Sequence, residues 1–570
     1  MSKIRFMAIG GQDERGKNLF VLEIGEELFI LDAGVKYPDK GILGVDIVIP
    51  KIDYIIDNKK RVKGIFLTNS ASYNMGAVPY ILKHMDVPVY CNEITKLIST
   101  IKISRMRIKN NKDQNYKVVK DKDVLQAGNV KVEVFRTTSA SPQSFGYAFH
   151  TEQGVVVYVG DYIIDGQEQS YFSTDFNHLS DIGKKGVLAL IADSEYASRS
   201  GFTAPNHKIQ DFISIPFKEK KTRIAIGIFE EDIFKLGEIC KVAKENNRKI
   251  AVYGRLMAQV LKSNLISKNL NILPEDIISI EEYMKSDNGV LIISGTVDVL
   301  YSKLTKVATG NDDVVELTSK DLMILATPPA PGIEKKHAQI LDELARTDAR
   351  LIALSDRNIW TMHASYEDVK VLTSIVRPKY FIPVKSLFKD GLKAESAAVE
   401  AGVLPENITV INNGQVLDLT RKVLTIEKKN IDFGNTYVDE IGIGDVGTIV
   451  LNERRQLATD GVIILGATID SRNKELVSMI DTQMRGVVYI QEDNPIFKII
   501  QKDIELSIQQ GQSLFNENPK KYDLNEIKKE IVTKVRTSIK QESGKQPIVL
   551  CIINEFNGVN FVFKNKKNKV

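Results

Sequence analysis

Short apolar segments separated by glycine-bearing turns occupy the first third of the chain. Gly10, Gly11 and Gly25 stand in the turns between the first three segments, a pattern typical of β-strands. It predicts strands at 4–9, 19–24, 28–32, 62–67, 131–136, 145–150, 155–159 and 187–192. A helix is predicted to begin near Met75, after a polar loop. Strand meanders with inserted helices predict a layered α/β sandwich.

From about 207 to 350 the pattern changes to an alternation of strands and helices. The runs at 290–293 and 322–325 are apolar throughout, which is typical of parallel strands covered on both faces. Amphipathic stretches near 231–246 and 255–264 predict the intervening helices. This region therefore predicts an inserted α/β domain, after which 380–384 returns to the first domain.

A separate C-terminal unit is predicted from about residue 440. Its pattern indicates strands at 448–451, 462–469, 487–490 and 547–553, and helices at about 495–510 and 524–541. The chain thus divides into four predicted segments: 1–206, the first part of the sandwich; 207–370, the insertion; 371–435, the return segment and linker; and 440–560, a small α/β domain.

Composition narrows the class of protein. The 570 residues are 43% hydrophobic and 26% charged, as in globular proteins of several domains. No run approaches the roughly 20 apolar residues of a transmembrane helix, and we expect no signal peptide and no membrane partner. The cysteines Cys91, Cys240 and Cys551 are too scattered for a disulfide framework or a CxxC site. We expect a cytoplasmic protein.

Charge and histidine content restrict the chemistry. A net charge of +4 is too small to indicate a nucleic-acid surface by itself. The six histidines include no pair that stands two, three or four residues apart, so the chain lacks a local His-x-His or His-x3-His ligand pair. These counts exclude a histidine-rich binuclear metal site.

Short motifs run in a fixed order along almost the whole chain. They are Gly10-Gly11, Gly16-Lys17-Asn18, Asp32-Ala33-Gly34, GVDIVIP at 44–50, GIFLT at 64–68, GAVPYIL at 76–82, Gly160-Asp161, ADS at 192–194, GFT at 201–203, Pro331-Gly332, PKYFIPV at 378–384 and RGVVY at 485–489. In this order they resemble the ribonuclease J family of bacterial nucleases. The resemblance implies an α/β fold with a metallo-β-lactamase αββα sandwich, an inserted β-CASP domain and a small α/β C-terminal domain.

The family's two zinc ions are held mainly by a loop of the form Thr-His-x-His-x-Asp-His-x-Gly, which here reads TNSASYNMG at 68–76. The resemblance places the four ligand positions of this loop on Asn69, Ala71, Tyr73 and Asn74. Alanine has no donor atom, and neutral amides or a phenol bind zinc far more weakly than imidazole.

Two further ligand positions of the family correspond to Ser139 and Lys385. Of the family's metal ligands, only the bridging aspartate is retained, as Asp161. We therefore treat all seven positions as a relict metal site, and we predict no metal, no cofactor and no catalytic residue. Zinc, the family cofactor, is predicted lost. The fold is that of a metal-dependent phosphodiesterase, and the sequence leaves open whether the chain is an enzyme without the family's metal ligands.

A buried carboxylate without its metals must be paired, solvated or protonated. We hypothesise that the Lys385 ammonium neutralises Asp161, with hydrogen bonds from Asn69, Asn74 and Ser139. The alternative is that Lys385 points to solvent. We expect Asp32 to form a turn or to have another structural role.

The family's phosphate-recognition segment is half preserved. The resemblance places RNA-phosphate contacts on Thr361 and His363, although His363 is alternatively a relict that bonds its neighbours. Met362 stands at a position where the family has glycine, and its side chain would prevent a phosphate from approaching the backbone closely. The basic residues Lys102, Arg105, Arg107 and Lys109 form either a solvated helix face or an RNA-facing patch.

Three functions remain open. The first is a non-catalytic, RNA-binding or scaffolding partner of an active ribonuclease J in RNA decay and rRNA processing, as a homodimer or a heterodimer with an active paralog. The second is a weakly active 5′–3′ exoribonuclease or endoribonuclease. The third is a regulatory or structural protein that no longer binds RNA.

Overall fold

The computed structural model describes residues 2–38, 42–105, 115–167, 171–330, 332–439, 442–443, 447–487 and 495–557. They form two compact units, Met1–Tyr37 with Asp46–Ile441, and Pro38–Val45 with Gly442–Val570. Over these described ranges, no helix combines the length and apolarity needed to cross a membrane.

The strands of the first unit are, in chain order, β1 (Ile4–Gly10), β2 (Leu19–Ile24), β3 (Glu27–Leu31), β4 (Ile47–Pro50), β5 (Val62–Phe66), β6 (Val89–Cys91), β7 (Tyr116–Val118), β8 (Val124–Ala127), β9 (Val130–Thr137), β10 (Ser144–Thr151), β11 (Gly154–Val159), β12 (Val187–Asp193), β13 (Arg223–Phe229), β14 (Ile250–Tyr253), β15 (Val290–Gly295), β16 (Asp321–Leu325), β17 (Arg350–Ala353), β18 (Tyr380–Val384), β19 (Val416–Leu419), β20 (Leu424–Ile426) and β21 (Asn435–Asp439).

The α-helices of the first unit are α1 (Asp53–Asp57), α2 (Ser72–Met75), α3 (Val78–Leu82), α4 (Glu93–Arg105), α5 (Phe176–Lys184), α6 (Gln210–Ser214), α7 (Ile233–Glu245), α8 (Arg255–Lys262), α9 (Asn264–Asn269), α10 (Ile280–Lys285), α11 (Val297–Ala308), α12 (Glu334–Ala345), α13 (Tyr366–Val376) and α14 (Phe388–Glu400). The helix predicted near Met75 is therefore two short helices, α2 and α3.

Two sheets share one core. The first has the order β20-β19-β1-β2-β3-β5-β6-β7, and the second β18-β12-β11-β10-β9-β8. Phe20 and Phe66 of the first sheet pack with Phe149 and Tyr158 of the second, and the rings of Phe66 and Phe149 meet edge to face at 5.2 Å. Apolar side chains of α5, α13 and α14 cover the outer face of the second sheet. The layered α/β sandwich is thus confirmed.

A third sheet is built from the middle of the chain. Its strands β14, β15, β13, β16 and β17 are hydrogen-bonded in that order and all parallel. Leu291, Ile293 and Met323 lie in its core, as expected for apolar strands that helices cover. The sheet spans 223–353, which lies inside the predicted insertion at 207–370; the four segment boundaries themselves stay predictions. After it, β18 returns beside β12 with Tyr380 opposite Ala189.

The second unit contains β22 (Gly442–Ile443), α15 (Thr448–Thr459), β23 (Val462–Asp470), β24 (Asp481–Arg485), α16 (Pro495–Glu517), α17 (Leu524–Ser543) and β25 (Ile548–Phe556). Strand β23 lies between β24 and β25, and Ile500, Ile531 and Val535 of the two long helices pack in the core of this unit.

One predicted strand of this unit is wrong. Residues 448–451 begin helix α15, because the strong helix formers of 453–458 (ERRQLA) continue the segment and outweigh its apolar start. Residues 488–490, part of the strand predicted at 487–490, lie outside the described residues.

Candidate functional site

The candidate site is assembled where parallel strands of both sheets end. In the first sheet Leu31 of β3 stands opposite Phe66 of β5, so the segments after both strands meet. In the second sheet β12 lies between β11 and β18, with Asp193 opposite Val384. Asp161 and Lys385 follow the ends of β11 and β18. Residues far apart in sequence therefore converge at one edge of the sandwich.

The Lys385 ammonium lies at the centre of the site. Its Nζ donates to Oδ2 of Asp32 at 2.9 Å, to Oδ1 of Asn74 at 2.9 Å and to Oδ1 of Asp161 at 3.3 Å. The side chain is 1% exposed. Burial by itself would lower the pKa of Lys385, but the charges of Asp161 and Asp32 outweigh it and raise the pKa. Lys385 is therefore a buried cation.

Asp161 is satisfied on both oxygens. Its Oδ2 accepts from Nδ2 of Asn69 at 2.8 Å and from Nδ2 of Asn74 at 2.9 Å. Burial by itself would raise the pKa of Asp161, but the charges of Lys385 and His363 and the hydrogen bonds from Asn69 and Lys385 bring the pKa below its usual value. The pairing of Lys385 with Asp161 hypothesised from the sequence is confirmed, and the alternative of a solvent-facing lysine is wrong.

The contacts of Ser139 differ from the hypothesis that its hydroxyl bonds Asp161. Its hydroxyl pairs with Oγ of Ser144 at 2.6 Å and also donates to the carbonyl oxygen of Ser141. The hydroxyl thus holds its own loop together instead of bonding Asp161, because the loop offers nearer partners. The expected hydrogen bond from Ser139 to Asp161 is wrong.

Asp32 is a partner of Lys385 that sequence reasoning placed only in a structural role. It also accepts from the backbone N–H of Thr68 at 2.8 Å and from the hydroxyl of Tyr158 at 2.7 Å. The structural role is thus accompanied by an ion pair with Lys385. The only sequence feature that could have identified Asp32 as a site residue was its position directly after a strand, in the Asp32-Ala33-Gly34 motif.

The two other positions of the 68–76 loop, Ala71 and Tyr73, lie beside this network. The backbone N–H of Ala71 donates to Oδ1 of Asn69 at 2.9 Å, so Ala71 contributes a backbone contact. The ring of Tyr73 lies 6.1 Å from that of His363, and burial raises the pKa of the Tyr73 phenol well above its usual value. Tyr73 is therefore a neutral side chain beside the ion pairs.

His363 is held by acidic side chains. Its Nδ1 lies 2.9 Å from Oδ2 of Asp193, 3.7 Å from Oε2 of Glu195 and 4.0 Å from Oδ1 of Asp161. Burial by itself would lower the pKa of His363, but the charges of Glu195 and Asp193 raise it to about 9. The ring is thus an imidazolium at neutral pH and bonds its neighbours. The carbonyl oxygen of Thr361 accepts from the backbone N–H of His363 at 2.9 Å, and its Oγ1 lies 3.5 Å from Nη1 of Arg199.

These residues do not fit a pair of zinc ions. The amide nitrogens of Asn69 and Asn74 face Asp161 as donors, and the Lys385 cation already contacts both Asp161 and Asp32. Ligand atoms of Asp161, Asp193 and His363 do lie within 4.8 Å of one another. An imidazolium carries a proton on both nitrogens, however, and offers no lone pair to a metal.

Of the four basic residues predicted as a solvated face or an RNA-facing patch, the structure describes the side chain of Lys102. Lys102 donates to Oε1 of Glu231 at 2.7 Å and to Oγ of Ser72 at 2.5 Å. Because it is already paired with a carboxylate, Lys102 belongs neither to a solvated face nor to an open basic patch. The side chain of Arg105, and Arg107 and Lys109, lie outside the described residues.

Comparison with known proteins shows which families and relatives this chain is similar to. Family models described as the ribonuclease J β-CASP domain and the ribonuclease J C-terminal domain match residues 221–344 and 449–556. Proteins named ribonuclease J 2 from Staphylococcus epidermidis and Staphylococcus aureus are each 30% identical over 559 residues, which is 97% of this chain and 98% of each relative. A crystal structure of a protein of unknown function from Enterococcus faecalis V583 has a TM-score of 0.50 at 14% identity, over 73% of this chain and 100% of that one.

The β-CASP match falls on the parallel sheet of the middle segment, which confirms the inserted domain that the resemblance implied. The likeness to the Enterococcus protein concerns the fold alone. The two staphylococcal relatives align over nearly their entire length. This chain belongs to the ribonuclease J family.

Proposed function

We propose that this chain is a non-catalytic ribonuclease J-like protein of the cytoplasm. It acts in RNA decay and rRNA processing as an RNA-binding or scaffolding partner of an active ribonuclease J, as a homodimer or as a heterodimer with that paralog. Its relatives are named ribonucleases, and the proposal differs from those names in the loss of zinc-dependent catalysis.

The observation that carries the proposal is the position of one cation. Lys385 stands where the family has a metal-binding histidine, and its ammonium contacts Asp161 and Asp32. A zinc ion beside Asp161 would meet this charge at close range, and like charges in a buried site repel strongly. The ammonium and the two carboxylates already satisfy each other without metal.

A second observation supports retention of the scaffold. Strand β11 pairs with β12 as far as Val159, with one register shift, and β12 pairs with β18 as far as Val384, directly before Lys385. The changes are thus confined to side chains, while the sandwich and the inserted sheet are intact. This distribution favours a partner or RNA-binding role, since either role needs the fold but not the zinc ligands.

The alternative is a weakly active 5′–3′ exoribonuclease or endoribonuclease. The acidic side chains of Asp161 and Asp193 beside His363 favour it, because their ligand atoms are close enough for one ion. Such binding requires His363 to release its proton first, and the raised pKa of His363 opposes that release at neutral pH.

Metal analysis and RNA digestion test the proposal together. The full-length chain is loaded with zinc, desalted, analysed for metal and incubated with 5′-monophosphorylated RNA. A ribonuclease J with an intact Thr-His-x-His-x-Asp-His loop, treated identically, is the positive control. We expect much less than one zinc per chain, no RNA shortening, and the same unfolding midpoint with or without EDTA.

Stoichiometric zinc with RNA digestion that is lost in Asp161→Ala would establish the alternative. RNA binding is measured separately by filter binding at several salt concentrations, where contacts to phosphates make the affinity fall steeply with salt. Partnership is measured by co-purification with a tagged active paralog. Absence of both RNA binding and co-purification would overturn the proposed role.

A further inference from the structure

A cavity of about 840 Å³ lies beside the parallel sheet of the inserted domain. We call it the β14 groove, because strand β14 contributes Val252 to its lining; helices α8 and α9 and the segment after them form the rest. A cavity of this volume is large enough to enclose a drug-sized ligand. None of the residues around Lys385 lines it, so the β14 groove is separate from the candidate site.

The edge of the sheet is open at this groove. Strand β14 has β15 on one side, and on its other side only an isolated bridge between Ile250 and Ile277 continues the pairing among the described residues. On that outer side the carbonyl oxygen of Ile250 accepts from the N–H of Ile278. Alternate residues of a strand direct their backbone groups to the same side. The N–H and C=O of Val252 therefore also point away from β15, towards the groove.

The wall of the β14 groove is mainly apolar. It includes Leu261 of α8 and Ile272 and Ile278 of the segment after α9, together with Leu273, whose side chain is 46% exposed. Contact with such a wall favours apolar side chains, because it removes them from water. Successive side chains of an extended peptide point to opposite faces, so every second side chain of a bound peptide would meet this wall.

The charged side chains in the lining are lysines. Lys262 ends α8 and Lys268 lies in α9, and both are exposed. Neither forms an ion pair with a carboxylate of the described residues, and none of the described residues that line the groove is acidic. The groove is therefore complementary to a ligand that carries carboxylates next to apolar groups, and it disfavours a basic one.

We propose that the β14 groove binds an extended peptide segment of a partner protein, in which apolar residues alternate and Asp or Glu residues flank them. The segment adds a short strand beside Val252, so that main-chain hydrogen bonds contribute affinity and side-chain contacts contribute specificity. Its apolar side chains pack on Leu261 and Ile272, and its carboxylates meet Lys262 and Lys268. This inference goes beyond the proposed function, because it requires neither RNA nor a ribonuclease J paralog.

Peptide selection tests the proposal. Short random peptides displayed on phage are selected on the immobilised full-length protein, and the enriched peptides are synthesised and titrated by fluorescence anisotropy. We expect apolar residues at alternate positions with flanking Asp or Glu. A scan of backbone N-methylation along such a peptide should weaken binding about tenfold at the nitrogen that donates to Val252, the scale of one lost hydrogen bond, and little at its two neighbours.

Charge reversal tests the two lysines. The double variant Lys262→Glu, Lys268→Glu should bind the acidic peptide about tenfold more weakly or worse, since the reversed charges repel. The same peptide with Lys in place of Asp and Glu should bind this variant better than it binds the wild-type protein, which also shows that the variant is folded. Lys306→Glu changes an exposed lysine of α11 outside the groove and leaves the affinity unchanged.

Three results would overturn the proposal. The first is the absence of any enriched peptide, and the second is an enriched peptide that binds the double lysine variant as tightly as the wild-type protein. The third is dissociation of a dimer by the peptide in analytical ultracentrifugation, which would assign the groove to an interface between copies of this chain. Failure of RNA binding and of co-purification, with peptide binding intact, would instead contradict the proposed function alone.

Discussion

Nζ of Lys385 lies 3.3 Å from Oδ1 of Asp161, although 224 residues separate them in sequence. The same ammonium contacts Asp32, and all three side chains are at most 3% exposed. A buried ion pair adds little net stability, but removing one partner leaves an uncompensated charge. The network therefore depends on one lysine.

Lys385→Met should destabilise the protein by about 3–5 kcal/mol, because Asp161 and Asp32 would lose their shared cation in the interior. Urea unfolding of the wild-type and variant proteins measures the difference. Lys370→Met is the matched control, since Lys370 pairs with Glu400 at the surface and exposed pairs contribute little. Equal effects of the two substitutions would contradict the central role of Lys385.

His363 should make stability depend on pH on the alkaline side. The pKa of His363 is about 9 in the folded protein, above the roughly 6.5 of an unfolded chain. The folded state therefore holds this proton more tightly. Its contribution to stability is complete below about pH 6.5 and is lost as pH rises through about 9.

The measurement is the free energy of unfolding of the wild-type protein and of His363→Gln from pH 6 to 9.5. The wild-type protein should have the larger free energy of unfolding at pH 6, because the variant lacks the imidazolium that pairs with Asp193. This difference between the two proteins should become smaller as the pH rises to 9.5. An advantage that stays constant with pH would show that His363 does not carry the raised pKa.

Glu133 should make stability depend on pH on the acidic side. It accepts from Nζ of Lys185 at 2.8 Å and from Nε2 of His178 and of His150, both at 2.9 Å. Burial by itself would raise the pKa of Glu133, but the hydrogen bonds from Lys185, His178 and His150 and the charge of Lys185 lower it to about 2.

The stability that Glu133 contributes is present above about pH 4.5, the usual value for glutamate, and is lost as pH falls towards 2. Acid unfolding of the wild-type protein and of Glu133→Gln, followed by circular dichroism, tests this. The two stabilities should converge as pH falls through this window. Parallel curves would contradict the lowered pKa.

Gly34→Ala should destabilise the loop that carries the site. A Cβ at Gly34 would lie 1.6 Å from the carbonyl oxygen of Tyr73, so the backbone of residues 73–74 would have to move. We expect a loss of about 2 kcal/mol or more, as for overpacked interiors. Gly166→Ala is the control, because a Cβ there meets no atom within 4 Å. Thermal unfolding of both variants decides the comparison.

Local patterns predicted most of the strands because apolar periodicity and glycine turns act over a few residues. Strand β2 begins and ends at the predicted residues. The error at 448–451 has the same origin: four residues cannot distinguish the start of helix α15 from a strand. The family resemblance also predicts which positions, from Asn69 to Lys385, correspond to the family's metal ligands, because sequence motifs are linear.

The partners inside the site were harder to predict. Asp161 and Lys385 were paired by their family positions, but Asp32 and Asp193 could not be assigned as partners from their own segments. Ser139 has the chemistry to bond Asp161 and instead bonds Ser144. Such choices depend on distances of about 3 Å between segments that are remote in sequence.

The amino-acid sequence by itself determined the fold class and the family, since these depend on which residues stand at which positions. Only the tertiary structure decided which charges neutralise one another. The reason is that electrostatic and hydrogen-bond energies fall off within a few ångströms, and only the folded sandwich brings the ends of β3, β11, β12 and β18 that close together.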